Sequence, residues 1–151
     1  MLTRRFALII GLIYLVVGVA GFIPGLSNAA PGGAPSMHVN FDYNFLGGLF
    51  PINVLHNIVH LLIGASGIAM SRQYHSARLF SRGLAVLYGL LAVMGLIPGF
   101  NTVFGLIPLF DGDVVLHALT ALAAAYFGWV ARDDEHAEIE EAGAHPIRRA
   151  V

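Results

Sequence analysis

The sequence predicts an all-α integral membrane protein: a four-helix bundle made of two tandem helical hairpins. Three observations carry that prediction. The first is composition. Of 151 residues, 57% are hydrophobic and only 11% charged, against about 45–50% and about 25% in soluble domains. Nine of the seventeen charged residues fall in the last twenty positions, which leaves eight in residues 1–131. The second is four apolar runs near the roughly 20 residues that a helix needs to cross a bilayer, at about 6–23, 53–70, 79–97 and 113–131. The third is an internal repeat.

The first run follows Arg4 and Arg5 and stops at Ile23-Pro24-Gly25. Proline cannot continue a helix well and disfavours helical geometry in the residue before it. Arg4-Arg5, the apolar run and Ser27-Asn28-Ala29-Ala30 together outline a secretory signal. The run is longer than the apolar core of such signals, and the repeat requires it, so it reads as a retained helix. The second run starts after Pro51, the third stops at Ile97-Pro98-Gly99, and the fourth starts after Pro108. Two further apolar stretches, 45–52 and 103–110, are too short to span and read as interfacial or re-entrant segments.

All eight basic residues are arginine: Arg4, Arg5, Arg72, Arg78, Arg82, Arg132, Arg148 and Arg149. With the N-terminus inside, every one lies on the cytoplasmic face, and the outer loops at about 24–52 and 98–112 hold none. Both termini are therefore expected in the cytoplasm. The acidic residues concentrate in a tail, 132–151, that nets −3 and reads as solvated and cytoplasmic.

At an offset of 74, Arg4, Phe6, Tyr14, Gly21, Ile23, Pro24 and Gly25 match Arg78, Phe80, Tyr88, Gly95, Ile97, Pro98 and Gly99. At an offset of 57, Gly48-Leu49-x-Pro51 matches Gly105-Leu106-x-Pro108, and His60 matches His117. The 17-residue difference is extra outer loop in the first hairpin, at about 4–71, relative to the second, at about 78–131. Each unit enters the membrane from the same side, so the two are expected to be related by a pseudo-two-fold axis along the membrane normal.

A polar stripe interrupts the apolar runs. In the second run Asn53, His56, Asn57 and His60 fall within about 100° of helical arc, and in the fourth Asp113, His117 and Thr120 share a face. Residues four apart on a helix reach one ion together. Three imidazoles and one carboxylate, His56, His60, His117 and Asp113, make a shell suited to zinc, iron, manganese or copper. Asn53, Asn57, Asp111 and Thr120 are then candidates to support those ligands by hydrogen bonds. Axial ligation of a haem by His60 and His117 is a less favoured use of the same residues. Two other readings stand beside these. One is a purely structural polar network, in which Asn53 and Asp113 act as helix N-caps and the imidazoles bond across helices. The other is a proton or substrate pathway. Tyr14 and Tyr88 offer paired hydroxyls, and His38 in the first outer loop is a weaker extra ligand.

The composition excludes other classes. No basic stripe exists for nucleic acid. The absence of cysteine removes disulfides and thiolate chemistry. The chain also lacks lysine, a His-Glu-x-x-His sequence and any Ser/His/Asp order, so no catalytic constellation is visible. An enzyme would have to work through metal-activated water at the His/Asp cluster, and the reading leans against one. The lipid bilayer is the expected partner, with a homo-oligomer or a larger membrane complex open.

The run Phe50-Pro51-x-Asn53-x-x-His56-Asn57-x-x-His60-Leu61-x-x-Gly64, with Gly105-Leu106-x-Pro108, Asp113 and His117 after it, resembles a bacterial membrane family known as a domain of unknown function (number 4383). The resemblance runs from the first helix to about Gly128 and leaves out the tail. It implies a four-span protein of a bacterial cytoplasmic membrane and brings no activity, ligand or partner.

Overall fold

The computed structural model describes residues 1–131; the expected acidic tail lies outside the described residues. The described chain is mostly helical. Helix α1 (Leu2–Ala20) leads through a long loop to α2 (Val54–Met70), and a short turn joins α2 to α3 (Tyr74–Gly95). A second loop leads to α4 (Gly112–Ala125), which continues as a π-helical turn, Tyr126–Val130. Its wider winding shows in the bond from the Ala131 amide to the Tyr126 carbonyl.

Three of these helices, α1, α3 and α4 with its π turn, are long and apolar enough to cross a membrane. The fourth, α2, is equally apolar in character but has only 17 residues. Their surfaces are inverted relative to a soluble protein. Leu8, Leu12 and Val16 on α1, Leu62 on α2, Val86 and Leu90 on α3, and Leu119 and Leu122 on α4 are exposed, while Asn53, His56, Asn57, His60, Asp113 and His117 are buried. Exposed apolar and buried polar side chains are what helices packed within a bilayer present.

Helix α1 packs along α2, and α3 along α4. Both pairs are antiparallel. A Cβ on Gly18 would meet Leu61 and one on Gly67 would meet Ala7, while Gly89 faces Ala121 and Gly128 faces Arg82. The first pair approaches most closely at Gly64, where a Cβ would stand 2.5 Å from the Leu15 amide nitrogen and 2.8 Å from the Gly11 carbonyl. In lipid such contact area replaces the hydrophobic effect as the driving force between helices. A small core of Ala7, Tyr14, Ala77, Phe80, Leu84, Ala85, Tyr88 and Ala124 fills the space between the pairs. Stacked Phe6 and Phe127, 4.4 Å apart, close its inner end.

The loop end of the bundle, opposite the α2–α3 turn, holds an element that the periodicity does not predict, a three-stranded antiparallel sheet. Its strands are β1 (Ser27–Ala29), β2 (Asn44–Leu46) and β3 (Phe50–Ile52), in the order β1-β2-β3. The stretch 45–52, expected as interfacial or re-entrant, is therefore the β2–β3 hairpin, with Asn44 opposite Ile52 and positive φ at Gly47 and Gly48 in its turn. The matching stretch 103–110 forms turns, and its Pro108, Leu109 and Phe110 are buried against the helices. Gly25 and Gly99, which follow the two Ile-Pro steps, have φ of 92° and 91°, a left-handed conformation that glycine adopts at no steric cost. The Pro-Gly steps thus end α1 and α3 by the same turn, two or three residues earlier than expected.

Candidate functional site

The site is built at the start of α2. Asn53 is the N-cap, and its side-chain oxygen accepts the His56 amide at 2.9 Å. Its Nδ2 donates to the Val39 carbonyl at 2.9 Å and to the Leu106 carbonyl at 2.7 Å. One side chain thus caps the helix and clamps both outer loops over it. Segment 38–41 completes the clamp: the His38 and Val39 amides donate to the Gly105 carbonyl, and the Val54 amide donates to Phe41.

One and two turns further along α2, His56 and His60 turn inward with ring centroids 4.4 Å apart. From α4, His117 comes to 6.2 Å of the His56 ring. The three histidines are at most 2% exposed, and each brings a ring nitrogen within 4.8 Å of the other two. The His56 Nδ1 lies 3.1 Å from the Pro51 carbonyl. A carbonyl only accepts, so Nδ1 carries the proton there and Nε2 keeps its lone pair. Asp113 Oδ2 sits 3.6 Å from the same Nδ1.

Two tyrosines wall the cluster from below. Tyr14 meets His60 edge-on at 5.0 Å, Tyr88 meets His117 edge-on at 4.8 Å, and the two tyrosines cross each other at 5.3 Å. The Tyr14 hydroxyl shares a 3.0 Å hydrogen bond with Thr120 Oγ1.

Several polar atoms in this interior have no hydrogen-bond partner among the described residues: both ring nitrogens of His60, Nδ1 of His117, Oδ2 of Asp113, and both amide atoms of Asn57. A buried polar atom left unpaired costs about 1–3 kcal/mol. Four residues of the interior share this condition. Asn57 differs from the rest in its neighbour. It lies under Gly21 of α1, where a Cβ would overlap its amide.

The structure thus brings together His56, His60, His117 and Asp113, with Thr120 one hydrogen bond away through Tyr14. Asn53 supports His56 through the backbone and touches no ring. Asp111 is separate. It is exposed, occupies the N-cap position of α4 with φ 53° and makes no capping hydrogen bond. Asp113, expected as a ligand and, in the purely structural reading, as a helix N-cap, lies inside the first turn with its carboxylate 3.6 Å from His56 Nδ1. Near Asp111, Tyr43 donates its hydroxyl to the Pro35 carbonyl; partial burial and the Asp111 charge push its phenol pKa up, so it remains a donor. His38 is not part of the cluster, since its Nδ1 donates to the Phe104 carbonyl and ties the two outer loops together. The tyrosine walls were visible in the sequence as the pair at offset 74, although nothing there placed them against the histidines.

The arrangement offers three imidazole ligands on one side and a carboxylate beside one of them. Ligand nitrogens on one tetrahedral zinc ion, with Zn–N bonds of about 2.0–2.1 Å, lie about 3.4 Å apart. The three nitrogens, within 4.8 Å of one another, would have to close by up to about 1.4 Å to hold such an ion. No curated protein and no solved structure matches the chain. A family model does, over residues 4–130, a stretch that begins at Arg4, ends at the π turn and contains every member of the cluster. The chain belongs to the family described as Domain of unknown function (DUF4383).

Proposed function

We propose that this protein is a four-span protein of a bacterial cytoplasmic membrane that holds one transition-metal ion at its outer end, between α2 and α4. His56, His60 and His117 are the ligands in this reading. Asp113 stands behind His56, where a carboxylate on the distal ring nitrogen fixes the imidazole and raises its basicity. The observation that carries the reading is the convergence of three buried, nitrogen-bearing rings whose free atoms have no other partner among the described residues. Nitrogen ligands suit zinc, iron or copper, and a carboxylate on the ion would add manganese.

The membrane reading rests on three helices long enough to span and on a fourth, α2, that packs along the first of them. Three contacts of the first hairpin, Arg4 with Ser71, Tyr14 with His60 and Gly21 with Asn57, recur in the second at the repeat offsets, which supports a pseudo-two-fold axis along the membrane normal. Arg4 and Arg78 bond carbonyls at the helix ends opposite the sheet, in keeping with an arginine-rich inner face and cytoplasmic termini.

Haem is less favoured, because the three rings crowd one another and the two tyrosines meet directly beneath them. A proton- or ion-conducting oligomer would draw on the same polar groups. The second reading, a structural or accessory subunit of a membrane complex, draws on Asn53 and Thr120, whose hydrogen bonds join separate elements without any ion.

Elemental analysis of the detergent-purified protein, after loading with zinc, iron, manganese or copper in turn, separates these readings. One ion per chain is expected, and it is lost in a His60→Asn/His117→Asn double variant that still folds. Metal at background levels after every loading would sink the proposal, and a Soret band would select haem.

A further inference from the structure

At the end of the bundle opposite the sheet, an open pocket of about 400 Å³ lies between the start of α1 and the end of α2. It is lined by Met1, Arg4, Arg5, Leu8, Ser71 and Arg72. We infer that this pocket binds the phosphate of one anionic phospholipid, whose acyl chains run along the exposed Leu8 face of α1. The inference rests on the proposed placement of the helices in a membrane and is independent of the histidine site.

The repeat shows which of these residues the fold itself uses. Its two offsets relate this corner to one in the second hairpin, where Arg78 stands for Arg4 and Gly128 for Ser71. Arg4 donates through Nε to the Ser71 carbonyl, and Arg78 does the same to Gly128. That arginine ties the two helices of each pair. The other positions differ: Arg5, Leu8 and Arg72 of the first corner correspond to Leu79, Arg82 and Trp129 of the second. There the extra arginine is engaged within its own hairpin, since Arg82 also donates to Gly128 and lies 5.7 Å from the centre of the Trp129 ring. In the first corner Arg5 and Arg72 are exposed and donate to no group among the described residues. Arg4 spends only its Nε on Ser71, which leaves both Nη groups as donors.

Charge sets the sign of the ligand. Three guanidinium groups share the pocket, while the carboxylates of residues 1–131, Asp42, Asp111 and Asp113, all belong to the loop end. No acidic residue occupies the first turn of α1, although that end of a helix dipole favours negative charge. A bound anion offsets both. Guanidinium forks pair with phosphate through parallel N–H···O bonds. A zwitterionic head fits less well, because the pocket lining offers its ammonium neither a carboxylate nor an aromatic ring.

The apolar wall sets the rest of the ligand. Leu8 lies one turn beyond Arg4 toward the middle of the bundle, is 40% exposed, and begins an exposed stripe with Leu12 and Val16. Inorganic phosphate makes no use of that wall. A phospholipid places its glycerol and first acyl carbons there, and basic pockets at the cytoplasmic ends of helices suit such heads.

The test titrates the full chain in detergent with phosphatidylglycerol, phosphatidylcholine and inorganic phosphate, and counts bound lipid by native mass spectrometry. One phosphatidylglycerol per chain is expected, retained in preference to phosphatidylcholine and not displaced by millimolar phosphate. Arg5→Gln and Arg72→Gln should each weaken it about fivefold, the worth of one arginine beside an anionic surface. Arg78→Gln removes the same charge from the same end of the bundle and should leave it unchanged. The inference is overturned if phosphatidylcholine is retained equally, if phosphate displaces the lipid, or if Arg78→Gln weakens retention as much as the other two. Equal retention by the parent and the Arg5 and Arg72 variants also overturns it, and would point to the chain's own carboxylates at 133–141 as the partners of these arginines. Extraction of cell membranes with alkaline carbonate separates this inference from the reading beneath it. A chain that is washed off loses both, and one that stays but retains no phosphatidylglycerol loses this inference alone.

Discussion

The two hairpins share three contacts at the offsets of their sequence repeat. Arg4 donates to the Ser71 carbonyl as Arg78 does to Gly128; Tyr14 meets His60 as Tyr88 meets His117; and Gly21 faces Asn57 as Gly95 faces Val114. They part at three other sets of positions. Where the first hairpin has Gly11, Gly64 and Gly67 at its helix contact, the second has Ala85, Ala121 and Ala124. Where the first has His56 the second has Asp113, and where it has Asn57 the second has Val114. The shared contacts hold the scaffold. The differences teach where the site lies, because an exact repeat would have put two histidines, or two carboxylates, in the same place. Divergence at that one pair sets an imidazole against a carboxylate at 3.6 Å.

The largest effect is expected at this pair. In the proposed site His56→Ala removes one of three ligands and should abolish stoichiometric zinc. Asp113→Asn, acting through the His56 ring, should weaken zinc binding by about 10–100-fold. Titration against a competing chelator measures both, and equal, complete losses would put the carboxylate on the ion itself. Acid should release the metal as well, since the ligand nitrogens must be unprotonated and free imidazole titrates near pH 6.5.

The glycine–alanine difference sharpens the comparison next. Gly64→Ala forces a methyl against the backbone of α1 and should destabilise by about 1–3 kcal/mol. At Gly89 on α3 the nearest atom to an added Cβ is the Ala121 Cβ, 3.9 Å away, so Gly89→Ala should be neutral or stabilise by up to about 1 kcal/mol through helix propensity. Opposite signs in thermal unfolding in detergent are the expected outcome; two losses of equal size would show that the hairpins are packed alike.

The smallest effect concerns the arginine ends. The Ser71 carbonyl accepts from Arg4, whereas the Gly128 carbonyl accepts from both Arg78 and Arg82, at 3.0 and 2.8 Å. Arg4→Gln should therefore cost about 1 kcal/mol and Arg78→Gln less, since Arg82 keeps the carbonyl satisfied. A larger loss at Arg78 in the same unfolding assay would contradict this.

Much of this was legible in the sequence, for physical reasons. Apolar runs closed by Pro-Gly report helices because length and a missing amide act locally. The histidine cluster was legible because a spacing of four on a helix fixes direction. Its partners on the outer loops were not. The sheet pairs Asn28 with Phe45 across a loop rich in glycine and proline, and strands of three residues carry no alternation to read. Asp113 was expected as a cap because Asp favours helix starts. The helix instead begins at Gly112, with Asp111 in the cap position, and no local signal separates two aspartates two residues apart. His38 looked like a spare ligand by composition alone, and only the fold shows that it ties one loop to the other.

The shortness of α2 has a consequence for how the protein is made. Seventeen helical residues rise about 26 Å, less than the roughly 30 Å of hydrocarbon, and the outer half of this helix carries two histidines and an asparagine behind an asparagine cap. Alone in lipid, that half would leave its side chains and cap unsatisfied. Against α1 and beneath the clamped loops they are buried. If α2 crosses the bilayer as proposed, it is expected to be retained there by pairing with α1. The second hairpin, with a longer α3 and with alanines at its seam, is less dependent on such assistance. A chain in which α1 and α2 fail to pair would lose the burial of the site's residues on α2.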